Sequence, residues 1–218
     1  MSEVDQEFLF SVPTVEAGAS DGARIAIEMG ALASRLVGVE RTRCFHPDGR
    51  AENVAEHTLM LAKVAPELAA LLYPEIDDNL VARFATLHDD VEGYVDDTAT
   101  DMLSNLDQAA KTAREAAGAR QAMKDFAHMP GYVRLLQQYE EQLVPEARFV
   151  RAVDKLMVLL VHFPNNGETL RANYTYESFL KSEHDLLVRD GYKYGEFALI
   201  MDLRRELGHM LADGFLKT

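Results

Sequence analysis

Phe149-Val150-Arg151-Ala152-Val153-Asp154-Lys155-Leu156-Met157-Val158-Leu159-Leu160-Val161 is the most apolar helical stretch in this 218-residue chain. Phe149, Val150, Val153, Leu156, Met157, Leu160 and Val161 cover most of its surface. A helix from Glu146 to about Phe163, opened by Pro145 in a first-turn position, is therefore expected at the centre of a helical core. Asp154 is the anomaly within it. A carboxylate in so apolar a helix must be paired or bind a metal, since burying it alone is costly. Lys155 or an arginine is the simplest partner, and a metal ion is the sharper one.

The stretches around this helix also read as helices. An irregular arm over residues 1–22, with Pro13, Gly18 and the Ser20-Asp21-Gly22 turn signal, leads into an amphipathic helix with Ile25, Met29, Leu32 and Leu36 at helical spacing. Gly38 to Ala51 reads as a loop carrying Arg41, Arg43, Arg50 and the turn cluster His46-Pro47-Asp48-Gly49. Asn53 with Glu56 three residues on is an N-cap pattern for a helix through His57, Leu61 and Val64, which Pro66 should break or kink near Ala65. Asp77-Asp78-Asn79 opens a helix through Val81, Phe84, Leu87, His88 and Val91, ended by Gly93. His88, Asp89 and Glu92 then occupy its last turns, with Glu92 on the same face as the other two.

Further on, Thr100 reads as the cap of a long helix that Gly118 interrupts, and Tyr132 to Leu143 as a short one. After Pro164-Asn165-Asn166-Gly167, two helices over Glu168–Leu187 and Glu196–Phe215 are expected, joined at Asp190-Gly191-Tyr192. No β-hairpin, repeat or linker is evident. The consistent reading is all-α, with one helical domain over residues 23–218.

Composition bounds the function. A hydrophobic share of 48% and a charged share of 27% are ordinary for a globular protein and exclude wholesale disorder. A single cysteine, Cys44, excludes an intramolecular disulfide, and the N-terminus lacks a secretory signal, so a cytoplasmic setting is expected. No apolar run is long enough for a membrane span. A formal net charge of -14 disfavours a nucleic-acid polymer as partner, because such binding rests on neutralising phosphates. Small phosphorylated ligands remain open to it, since a metal or a few arginines can supply cation density locally.

His57, the His88-Asp89 pair and Asp154 lie on three separate expected helices. Two neutral imidazoles and two carboxylates suit one divalent transition ion, Mn, Fe, Co, Ni or Zn, and leave positions open on an octahedral one. Glu92 beside such a site would be a poised general base, and Arg41 or Arg43 could offset charge on a phosphate. Plainer readings attach to other residues: Cys44 as an unreactive thiol, Asp90 and Asp96 as solvated acids, and His46, His128, His162, His184 and His209 as surface or hydrogen-bonded residues.

The set resembles the HD-domain metal-dependent phosphohydrolases, whose motif order is H…HD…D. Glu52-Asn53-Val54-Ala55-Glu56-His57 is similar to the E-[NS]-V-[AS]-E-H segment of the 5′-deoxynucleotidase-like branch. His88-Asp89-Asp90-Val91-Glu92 is similar to its HDxxE, Asp97-Thr98-Ala99-Thr100 to its D-x-P-T, and Ala152-Val153-Asp154-Lys155-Leu156 to the segment carrying its last ligand. The resemblance covers roughly Arg41 to Val161. It implies an HD-type helical bundle in which His57, His88, Asp89 and Asp154 bind the metal, Glu92 acts on the attacking water, and Asp97 contacts the sugar or helps protonate the leaving oxygen. Arg41, Arg43 and Phe45 would contact phosphate and nucleoside, although this chain has no Trp and carries Ala99 where the branch has proline. The implied activity is hydrolysis of a (deoxy)nucleoside 5′-monophosphate to nucleoside and phosphate, by a homodimer. A dNTP triphosphohydrolase, an alarmone hydrolase and a nucleotide-binding protein without turnover are the alternatives on the same scaffold.

Overall fold

Asn53 accepts a hydrogen bond from the Glu56 backbone N–H, and the Glu56 carboxylate accepts one from the Asn53 N–H, each at 3.0 Å. This reciprocal cap fixes the start of α2 (Val54–Leu72) and so the position of His57 one turn in. The computed structural model describes residues 8–97 and 105–217; Thr98, Ala99, Thr100, Leu103 and the Arg43 side chain lie outside the described residues. Around α2 stand α1 (Asp21–Val37), α3 (Asp78–Leu87), α4 (Glu92–Val95), α5 (Asn105–Asp125), α6 (Pro130–Glu140) and α7 (Pro145–Leu160). The chain then runs through α8 (Glu168–Asn173), α9 (Tyr176–Tyr194) and α10 (Ala198–Leu211). Among the described residues the fold is all-α apart from one small hairpin. No helix among the described residues is long and apolar enough to cross a membrane.

The central role expected for the apolar helix holds. Phe149, Val150, Val153, Leu156 and Met157 of α7 are fully or almost fully buried in the main core, with Leu61, Phe84 and Leu136. A smaller cluster of Leu159, Leu170, Phe179 and Leu211 lies beneath the C-terminal helices. There Gly167 adopts φ +66°, and an added Cβ would fall 2.5 Å from Phe215 Cβ, so only glycine fits the turn. Residues 8–20 form no regular element, yet Phe10 is buried edge-on to the Tyr94 ring at 5.1 Å, and the Leu9 N–H donates to the Tyr94 carbonyl at 2.9 Å.

Several local expectations are corrected. The Arg41 loop is a β-hairpin, β1 (Glu40–Phe45) paired antiparallel with β2 (Ala51–Asn53) through an irregular register. Its strands alternate no apolar residues, and the pairing is closed by the turn at Gly49, where φ is +81°. Pro66 does not end α2: Leu61, Ala65 and Ala69 are completely buried, and that packing outweighs one lost backbone hydrogen bond. Gly118 does not interrupt α5; an added Cβ there would lie 3.0 Å from Val91 and Val95, so the glycine lets α5 approach α4 closely. The turn expected at Gly191 falls instead at Gly195–Phe197, between α9 and α10, and a further break at Tyr174-Thr175 separates α8 from α9, which Thr175 caps. Gly191 stays helical beside Asp190, which buried Arg204 of α10 holds at 2.9 Å.

Candidate metal centre

The helix carrying Leu87 stops there, one residue before the His-Asp pair, rather than running on to Gly93. Bonding tightens to three-residue closures, with the Asp90 N–H donating to the Leu87 carbonyl at 3.1 Å and the Glu92 N–H to the Asp89 carbonyl at 2.9 Å. Glu92 therefore opens the separate short helix α4 instead of closing α3. The tightened turn also carries Asp90 inward. It is buried, accepts a hydrogen bond from the Tyr132 hydroxyl at 2.8 Å, and burial pushes its carboxyl up to about 7, so it is not the solvated acid its neighbours suggest. Asp96 does face solvent, with Arg35 3.4 Å away.

The fold brings the four expected ligands together from α2, the turn after α3, and α7. His57 Nε2 lies 3.0 Å from Asp154 Oδ1 and 3.7 Å from Asp89 Oδ2, and His88 Nε2 lies 2.9 Å from Asp89 Oδ2. Donor atoms of His57, His88 and Asp154 all fall within 4.8 Å of one another. His88 Nδ1 must donate to the Ala85 carbonyl at 2.9 Å, because a carbonyl can only accept, and this leaves the Nε2 lone pair facing the cluster. That nitrogen is buried without a well-aligned hydrogen bond despite its nearness to Asp89. Two buried imidazoles, one with an uncommitted lone pair, beside two carboxylates fit a divalent transition ion.

The charges are mutually adjusted. Burial opposes ionisation of Asp89 and Asp154, yet the adjoining His88 and His57 for the first, and Lys155 and His57 for the second, hold both well below the usual carboxylate range. Asp154 thus has the simple partner as well, Lys155 Nζ at 2.7 Å from Oδ2. Glu92 behaves oppositely. Burial, with Asp89 and Asp97 adding to it, pushes its carboxyl well above the usual range against the pull of Arg41 and Lys111, and one of its oxygens is buried without a hydrogen bond.

Asp89, Glu92, Asp97 and Asp154 line a cleft of about 700 Å³, and Arg41 lines it with them. The Arg41 guanidinium is held from behind by Glu52, which is 1% exposed and accepts from Nη1 at 3.0 Å. Phe45 is not brought there. It lines a separate pocket of about 380 Å³ between the hairpin turn and α8, with His46 and Asn165. Arg50 and His46 are committed to Glu56, at 2.7 Å and 3.0 Å. Cys44 is buried at the cleft wall, and burial pushes its thiol up to about 11 despite the opposing pull of Arg41.

The cleft also holds Lys155 of α7, expected only as a partner of Asp154, and residues that no motif singled out: Tyr139 of α6, Arg151 of α7, and Arg189, Lys193 and Tyr194 of α9. Arg151 lies over the Tyr139 ring at 4.8 Å. Arg151 and Lys155 do share with Asp154 the spacing of one helix face, which was the available signal; Arg189 and Lys193 had none beyond their i,i+4 spacing.

A family model for the HD domain matches residues 33–190 of the chain. Among solved structures, the crystal structure of a predicted metal-dependent phosphohydrolase from Magnetospirillum magnetotacticum MS-1 is similar to it, with a TM-score of 0.59 and 26% sequence identity. That similarity covers 85% of this chain and 91% of the other. Comparison with curated proteins finds no match.

Proposed function

The chain belongs to the HD-domain superfamily of metal-dependent phosphohydrolases, and we propose that its substrate is a nucleotide, most simply a (deoxy)nucleoside 5′-monophosphate cleaved to nucleoside and phosphate. The observation that carries this reading is the convergence of His57, His88, Asp89 and Asp154 at a cleft also lined by Arg41 and Glu92. Its volume, about 700 Å³, is of the size that encloses a small ligand.

Bound to these four residues, a divalent ion would supply positive charge to the phosphoryl oxygens and acidify water. The chain's own groups do the rest. Arg41, braced by Glu52, offers a fixed guanidinium to the phosphate. Glu92 accepts the proton of the attacking water as the oxygen–phosphorus bond forms, a role suited to a carboxyl whose burial raises its proton affinity well above that of an ordinary carboxylate. Asp97, at the same cleft, is assigned to the departing nucleoside oxygen or its sugar. The test is a panel of nucleoside mono- and triphosphates incubated with Mn²⁺, Co²⁺, Ni²⁺ or Zn²⁺, with products identified. Release of orthophosphate from monophosphates, abolished by Asp89→Ala, supports the reading. Release of triphosphate or pyrophosphate, or no turnover of any nucleotide, refutes it.

A further inference from the structure

Arg151 and Lys155 stand on either side of Asp154 on α7, and Arg189 and Lys193, one turn apart on α9, line the same cleft. The carboxylates among them are Asp154, Glu140 and Asp190. Asp154 belongs to the proposed metal ligands. Glu140 Oε2 is 3.7 Å from Arg151, a loose pairing. Asp190 is shared between Arg189 at 2.9 Å and the buried Arg204 at 2.9 Å. Four cations thus face three carboxylates, with Lys155 held by Asp154 at 2.7 Å, in a chain whose net charge is -14. A local excess of positive charge on this one wall of the cleft, in an otherwise acidic protein, favours an anionic ligand there.

Two polar groups on this wall also lack partners. Arg151 Nε and the Tyr194 hydroxyl are buried without a hydrogen bond, although both residues line the cleft. Leaving such donors unsatisfied is costly unless a ligand or water completes them. Arg41, by contrast, reaches the cleft from the hairpin. The α7–α9 wall is therefore a separate bank of cations from the one assigned to the scissile phosphate.

Resting on the nucleotide reading above, we infer that the α7–α9 wall, with Arg151, Lys155, Arg189 and Lys193, binds a second phosphoryl group of the substrate, carried in addition to the one that is cleaved. A nucleoside 3′,5′-bisphosphate and a nucleoside 5′-diphosphate both present that chemistry. Calorimetry on the Mn²⁺-loaded Glu92→Gln protein, in which binding is read without turnover, would compare deoxyadenosine 5′-monophosphate, 3′,5′-bisphosphate and 5′-diphosphate. At least one doubly phosphorylated ligand should bind about tenfold or more tightly than the monophosphate, and its identity tells the 3′ from the β position. The pair Arg189→Gln/Lys193→Gln, chosen because both side chains are exposed and Arg204 still holds Asp190 at 2.9 Å when Arg189 is replaced, should bring that ratio close to one. Equal affinity for all three ligands, no binding of any, or an advantage that the double variant retains would overturn the inference. Turnover by the Glu92-containing protein is scored separately: a binding advantage without any hydrolysis would refute the proposed activity while leaving the second-phosphate site standing.

Discussion

His88 illustrates how one hydrogen bond decides a residue's chemistry: its Nδ1 is spent on the Ala85 carbonyl, so only Nε2 can serve as a ligand atom. Beside it, Glu92 is assigned proton transfer rather than ion binding. Glu92→Gln is accordingly expected to retain the metal while kcat falls by about 10²–10⁴-fold, checked by metal analysis alongside steady-state kinetics. Asp90 is tied to Tyr132, and Tyr132→Phe removes the donor from a buried acid. A loss of about 1–3 kcal/mol of stability by denaturant unfolding is expected, with the bound metal unchanged. Cys44, its thiol pushed up to about 11, should resist alkylation at pH 8 in the folded protein and react rapidly once the chain is unfolded.

Among the elements, what was legible in the sequence was what depends on near neighbours along the chain. The Asn53–Glu56 cap, the burial of α7 and the order of His57, His88-Asp89 and Asp154 were readable because each is a short pattern whose physics is local. The hairpin was not, since β1 and β2 are short, charged and without apolar alternation. Nor was the end of α3, where three-residue closures replace the helical ladder without any glycine or proline to mark it. The cationic wall was hidden because Arg151 and Arg189 belong to helices far apart in sequence, and each read alone is an ordinary surface charge. The contact of α5 with α4 gives a test at this scale. Gly118→Val would drive its side chain into Val91 and Val95, which flank Glu92. Overpacking should cost about 1–3 kcal/mol and lower kcat more than it weakens metal binding.

Over the whole molecule, an acidic protein presents a cleft in which cations from β1, α5, α7 and α9 gather around a buried cluster of imidazoles and carboxylates. Attraction of an anionic substrate across that acidic surface must act at short range, so KM should rise with ionic strength as screening reaches the cleft cations, at a Debye length of about 10 Å near 0.1 M salt. The central claim is that His57, His88, Asp89 and Asp154 together hold a divalent ion on which nucleotide hydrolysis depends. It is tested most directly by stripping the protein with chelator, restoring Mn²⁺, Co²⁺, Ni²⁺ or Zn²⁺ one at a time, and measuring bound metal and phosphate release from nucleotides in the same samples. The account predicts about one ion per chain and recovered turnover for the unaltered protein, with both lost in His57→Ala and Asp89→Ala. Turnover that survives chelation, or full metal occupancy in those two variants, would contradict it.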